Sequence, residues 1–117
     1  MKRLIFVEHD YGILEVARFI FEKEGYDLRL FSDARSMLDS DSLDADLFIL
    51  DKQLPDMDGV DLCRFLKADS RTMNTPVLML SANPKIKSQA HTAGADGVLE
   101  KPFEIKDLLS TISRLTS

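Results

Sequence analysis

The chain has 117 residues, of which 44% are hydrophobic and 30% charged, and it carries a formal net charge of −5. That is the balance of an ordinary globular domain, long enough to bury about two-thirds of its unfolded surface without staples. It excludes several classes: one cysteine, Cys63, allows no internal disulfide framework and no CxxC metal knuckle, the acidic balance argues against nucleic-acid binding through the bulk surface, and apolar runs such as Leu47–Leu50 and Val77–Leu80 fall far short of the ~20 residues a membrane helix needs.

Short apolar runs alternate with amphipathic segments along the whole chain, and no linker, repeat or low-complexity tract divides it. One domain over residues 1–117 is expected. Leu4–Val7 is continuous enough for a buried strand. Lys2 and Arg3 precede only this short run before Glu8, too little for a signal peptide, so a reduced, cytoplasmic domain is expected. Ile13, Leu14, Ala17, Phe19, Ile20 and Phe21 suit a helix with a broad apolar face, ended by Gly25. A weaker strand runs from about Tyr26 to Phe31, and Ser32 or Asp33 caps a short helix near Met37 and Leu38.

Asp46–Leu50 is the next buried strand and runs straight into Asp51. A turn with Pro55 and Gly59 leads to a helix with Val60, Leu62, Cys63, Phe65 and Leu66 inward. Pro76–Leu80 is another buried strand, ending at Ser81. Lys85 to Ala93 is a short helix closed by Gly94. Gly97–Glu100 is a strand followed by Lys101 and Pro102. Ile105, Leu108, Leu109, Ile112 and Leu115 give the last helix its stripe.

Continuous apolar strands between helices imply an α/β fold of three layers, a doubly wound parallel sheet of five strands covered on both faces. Right-handed crossovers bring the carboxyl ends of all strands to one edge, where sites in such sheets lie. The polar residues that stop the apolar runs fall there: Glu8, His9 and Asp10, then Asp51, Ser81 and Lys101. Carboxylates suit Mg²⁺, a hydroxyl and an ammonium suit the oxygens of a phosphoryl group, and a carboxylate can itself accept one. A polar residue at any one strand end is commonplace; four in this order are not.

The acidic cluster Glu8-His9-Asp10, the segment Asp51-Lys-Gln-Leu-Pro-Asp-Met-Asp-Gly59, the pair Ser81-Ala82, and Lys101-Pro102-Phe103 after Gly94-Ala95-Asp96 resemble the receiver domains of two-component response regulators, over the whole chain. The resemblance implies the flavodoxin-like strand order 2-1-3-4-5. It implies that Asp51 is the phosphoacceptor, Ser81 the hydroxyl that contacts the phosphate and Lys101 the phosphate-binding lysine, with a cis Lys101–Pro102 bond. Mg²⁺ would be held by Glu8, Asp51 and the backbone carbonyl at Gln53. The implied partner is a sensor histidine kinase or a histidine phosphotransfer protein. Such a module is no enzyme beyond catalysing its own phosphorylation and hydrolysis; its downstream effector is not identified by the residues, and neither nucleic acid nor membrane is expected to bind this domain.

Three departures stand out. His9 occupies the second of two positions usually acidic, the one whose side chain binds Mg²⁺ directly, and imidazole is a poor ligand for that ion. Weak Mg²⁺ binding with slow phosphorylation is therefore expected. Val98 stands where receivers often carry an aromatic switch residue. The span from Ser81 to Gly94 is short and suggests a trimmed fourth helix, carrying Lys85, Lys87 and Gln89. Gln53 and Asn83 occupy the two variable positions flanking the phosphoryl group in this family. His91 reads as surface and Cys63 as core. The alternative reading is an atypical receiver-like binding module acting without Mg²⁺-dependent phosphorylation; a flavodoxin-like cofactor protein is disfavoured by the absence of a Gly/Ser/Thr-rich phosphate loop after the first strand.

Overall fold

A computed structural model describes all 117 residues. Five βα units follow one another: β1 (Arg3–Val7), α1 (Tyr11–Lys23), β2 (Asp27–Phe31), α2 (Ala34–Leu38), β3 (Leu47–Asp51), α3 (Gly59–Ala68), β4 (Val77–Ser81), α4 (Lys87–Thr92), β5 (Gly97–Glu100) and α5 (Ile105–Leu115). A 3₁₀ turn, Pro84–Ile86, leads into α4. The strands form one parallel sheet in the order β2-β1-β3-β4-β5.

Alternation along each strand splits the core in two. Leu4, Phe6, Leu47, Ile49, Leu78 and Leu80 face Ala17 and Phe21 of α1 and Leu108 and Ile112 of α5. Ile5, Val7, Phe48, Leu50, Val77 and Met79 face Met37, Leu62, Cys63, Leu66 and Ala90 from α2, α3 and α4. The central strands β3 and β4 are buried along their full length, whereas β2 and β5, at the edges, are mostly half-buried. A sheet covered this way can present polar groups only where its strands end.

Two expected core residues lie outside. Phe19 is 71% exposed and Phe65 46% exposed. At about 100° per residue Phe19 points roughly 200° away from Ala17, so an apolar residue in the window was not one on the face. Phe65 stands at the margin of the stripe that Leu62, Cys63 and Leu66 bury. The trimmed fourth helix is present, as a 3₁₀ turn and a helix of only six residues.

The starts of α1, α2 and α3 are capped by side chains. Asp10 caps α1 by accepting from the Ile13 N–H at 3.2 Å, and Asp33, not Ser32, caps α2. Asp58 caps α3 by accepting from the Val60 N–H at 2.8 Å. Asp56 reaches back across the loop and accepts from the N–H groups of Ala34 and Arg35 at 3.0 and 2.8 Å. The two loop carboxylates are thus employed in holding helices.

Candidate functional site

The carboxyl ends of β1, β3, β4 and the segment after β5 converge. Glu8 follows β1 and its N–H donates to the Phe31 carbonyl at 2.9 Å, so the residue extends the sheet edge and its side chain is turned inward, only 1% exposed. Asp51 is the last residue of β3, paired with Leu80 of β4. Ser81 ends β4, and its carbonyl accepts from the Lys101 N–H at 2.8 Å, which fixes the start of the Lys101 side chain. The Lys101–Pro102 bond is cis.

The Lys101 ammonium joins two carboxylates. Its Nζ stands 2.6 Å from Glu8 Oε1 and 3.2 Å from Asp51 Oδ1. The other Glu8 oxygen, Oε2, accepts from the Asp10 N–H at 3.3 Å. Burial, followed by hydrogen bonding to the Asp51 carboxyl, pushes the Glu8 carboxyl up from its ordinary 4.5 to about 7, against the opposing pull of Lys101. Burial works against the Lys101 charge, but the hydrogen bond and charge of Glu8 and the charge of Asp51 outweigh it, and the ammonium is held above its usual range. Glu8 is the deeper and tighter partner of Lys101, an order that strand-end spacing alone does not reveal.

A cavity of about 400 Å³ opens over Asp51, lined also by Lys52, Gln53, Ser81, Asn83, Gln89 and Lys101. Ser81 is buried, and its Oγ accepts from the Asn83 N–H at 3.0 Å. The Asn83 side-chain Oδ1 in turn accepts from the Lys85 N–H at 3.0 Å and caps the 3₁₀ turn. Beside Asp51, Lys52 Nζ pairs with Asp58 Oδ2 at 2.6 Å. Burial raises the Asp58 carboxyl, but the Lys52 and Val60 hydrogen bonds outweigh it and leave the group below its ordinary value. Gly59 lets the loop return: its N–H donates to the Lys52 carbonyl at 2.7 Å. A larger groove, about 690 Å³, runs between α1 and α5, but it is almost wholly apolar and contains neither Asp51 nor Ser81.

Of the residues expected at the site, Glu8, Asp51 and Lys101 are in direct contact, and Ser81, Gln53 and Asn83 join Asp51 and Lys101 around the cavity. His9 is exposed and does not line it. Val98 is half-buried and packs on the core, with no aromatic ring at that position. His91 is exposed, and Cys63 is buried, its thiol pushed up to about 11 by burial, which leaves it unreactive. Lys52 was not singled out from sequence, because it follows a strand end and carries no periodic signal; Gln89, noted only as part of the short fourth helix, also lines this cavity.

The donor chemistry suits a hard cation. Two carboxylates, Glu8 and Asp51, and the Gln53 carbonyl are all oxygen donors, and one or two carboxylates plus phosphate oxygens commonly hold Mg²⁺. The set is sparse, because no group of three or more His, Cys, Asp or Glu side chains is arranged for a metal. An ion bound through oxygen is what these residues fit.

Comparisons with known proteins agree on the family. The family model for the response regulator receiver domain matches residues 4–113. The "DNA-binding dual master transcriptional regulator RpaA" of Synechocystis sp. is 35% identical over 98% of this chain and 49% of its own length. The "DNA-binding response regulator MtrA" of Mycolicibacterium paratuberculosis is 32% identical over 95% of this chain and 49% of its own. The chain thus spans about half the length of these curated relatives. Among solved structures, the chemotaxis response regulator CheY4 of Vibrio cholerae superposes with a TM-score of 0.90 at 27% identity, covering 98% of both chains. The receiver domain of the sensor histidine kinase PA1611 from Pseudomonas aeruginosa PAO1, described with a magnesium ion in its active-site cleft, shares the fold with a TM-score of 0.83 at 24% identity, over 98% of this chain and 97% of its own. With the family model covering nearly the whole sheet and the polar strand ends gathered on one edge of it, this chain belongs to the response regulator receiver domains of two-component signalling.

Proposed function

We propose that Asp51 accepts a phosphoryl group from a phosphohistidine of a sensor histidine kinase or a histidine phosphotransfer protein. The observation that carries this reading is the Lys101 ammonium, 3.2 Å from Asp51 Oδ1 at the edge of a cavity that Ser81 also lines. An Asp51 oxygen attacks phosphorus as the P–N bond to the donor imidazole breaks, and the imidazole leaves with the bonding electron pair. The Ser81 hydroxyl and the Lys101 ammonium take the phosphoryl oxygens, where charge shifts during transfer. Glu8 keeps Lys101 aimed at the cavity. Gln53 and Asn83 stand on either side, where their amides govern the approach of water and hence the lifetime of the acyl phosphate. Glu8, Asp51 and the Gln53 carbonyl would hold Mg²⁺, which when bound offsets the repulsion between the carboxylates and the incoming anion. As the target of a histidine kinase the domain works in the cytoplasm, and its output passes to an effector or partner protein.

Asp56 and Asp58 are poor candidates for the same role, because each carboxylate is engaged at a helix start. Borohydride reduction of the labelled protein converts a phosphoaspartate to homoserine, and peptide mass mapping should find it at residue 51 alone. Homoserine at 56 or 58 would overturn the assignment.

The exposed His9 leaves the metal one carboxylate short of the usual set. His9→Asp is expected to tighten Mg²⁺ about tenfold, the scale on which metal sites respond to one neighbouring group, and to speed labelling of Asp51. Calorimetric titration of both forms checks this; equal affinities would mean that position 9 does not govern the ion.

A further inference from the structure

We propose that Lys52 is a second cationic contact for the phosphoryl group, held by Asp58 in the resting domain and transferred to the anion when one enters the cavity. This rests on the reading of that cavity as the phosphoryl site. The Lys101 ammonium already faces two carboxylates, at 2.6 and 3.2 Å, so the cluster offers an entering phosphoryl dianion little net positive charge. Among the residues lining the cavity only Lys52 and Lys101 are cationic. A histidine at position 9, in place of a further acid beside the metal ligands, leaves more of the anion's charge to the cations of the chain.

The exchange is also easy. The Lys52 and Asp58 side chains are 24% and 39% exposed, and an ion pair reached by solvent contributes little net stability. A phosphoryl oxygen accepts a stronger, charge-assisted hydrogen bond. The backbone does not have to move: the Lys52 N–H donates to the Leu80 carbonyl at 2.8 Å and its carbonyl accepts from Gly59 at 2.7 Å, so only the flexible stem swings. Asp58 keeps its other oxygen on the Val60 N–H and still caps α3 after Lys52 leaves. Lys52 thereby links anion binding to the loop that joins β3 to α3.

The experiment follows labelling by phosphoramidate with intact-mass kinetics, and inorganic phosphate binding through the amide shifts of Ser81 to Asn83, in the wild type, Lys52→Gln, Asp58→Asn and the double variant. In the labelling reaction the Asp51 O–P bond forms as the P–N bond breaks, and nitrogen leaves as ammonia, already protonated in the zwitterionic donor. Lys52→Gln should slow labelling and weaken phosphate binding about tenfold, the loss expected for one charge-assisted hydrogen bond. Asp58→Asn, which still caps the helix but releases the lysine, should label at least as fast as the wild type, and the double variant should be as slow as Lys52→Gln. A merely structural ion pair predicts instead that both single variants lose equally. That result, or phosphate binding unchanged in Lys52→Gln, overturns the proposal. If the wild type takes no label at Asp51 while phosphate binding still depends on Lys52, the contact stands and the phosphoacceptor reading falls.

Discussion

Lys101→Met is expected to destabilise the metal-free domain by about 3 kcal/mol or more near pH 8 and far less near pH 5, and to abolish phosphorylation at both. The ammonium is the partner of a carboxyl that is 1% exposed, at 2.6 Å, and no other cation approaches that carboxyl in the structure. Removing it strands Glu8, which can remain buried only by taking a proton. In the wild type the Glu8 carboxyl titrates at about 7 against an ordinary 4.5, because burial and Asp51 favour the neutral form. Folded protein therefore binds more protons than unfolded protein between those values, and stability falls as the pH rises from about 4.5 to about 7. Without Lys101, whose influence lowers that value, the decline becomes steeper overall and continues to higher pH. Lys101 itself is charged in both states throughout this range and adds no slope. Urea unfolding across the range in chelator-containing buffer checks the prediction; a loss independent of pH would show that Glu8 is not the group left unpaired.

The second large effect is expected at Gly59. A Cβ there would lie 2.1 Å from the Asp51 carbonyl oxygen and 2.9 Å from both the Asp51 carbonyl carbon and Lys52 Cα. All three are backbone atoms, and none can rotate aside as a side-chain tip would. Gly59→Ala must therefore push the end of β3 away from the start of α3, costing about 3 kcal/mol or more. Thermal unfolding should drop by about 10 °C or more, and labelling of Asp51, the proposed phosphoacceptor, should fall with it because its carboxylate belongs to the displaced residue. Gly25→Ala is the control. Gly25 has φ of 87° but nothing within 4 Å, so alanine there meets only the left-handed backbone penalty of about 1 kcal/mol. Equal effects at the two glycines would contradict the close approach.

How much of this was legible in the sequence depended on which physical signal each part carries. The inner strands are continuous apolar runs, and a run such as Leu47–Leu50 can satisfy its side chains only between two layers of helices. The residues that stop those runs then fall on one edge, which is why Asp51, Ser81 and Lys101 were nameable before any geometry. Helix faces were less legible, since Phe19 and Phe65 are apolar residues that their helices turn outward. The order of contact within the cluster was not legible at all. Strand-end spacing brings Glu8, Asp51 and Lys101 together but does not say that the ammonium sits closer to Glu8. Lys52 and Asp56 reveal themselves only through contacts made across the chain: Asp56 with a helix start 22 residues away in sequence, and Lys52 with a carboxylate in the loop that folds back over it.

Asp51 is the proposed phosphoacceptor, and intact-mass analysis after incubation with phosphoramidate and Mg²⁺ tests that assignment most directly. The wild type should gain the mass of a single phosphoryl group, slowly, and faster as Mg²⁺ is raised, whereas Asp51→Asn, which keeps the shape of the side chain and loses its nucleophilic oxygen, should gain nothing. A wild type that stays unlabelled at saturating donor and metal, or an Asp51→Asn variant that gains the same mass at the same rate, would contradict it.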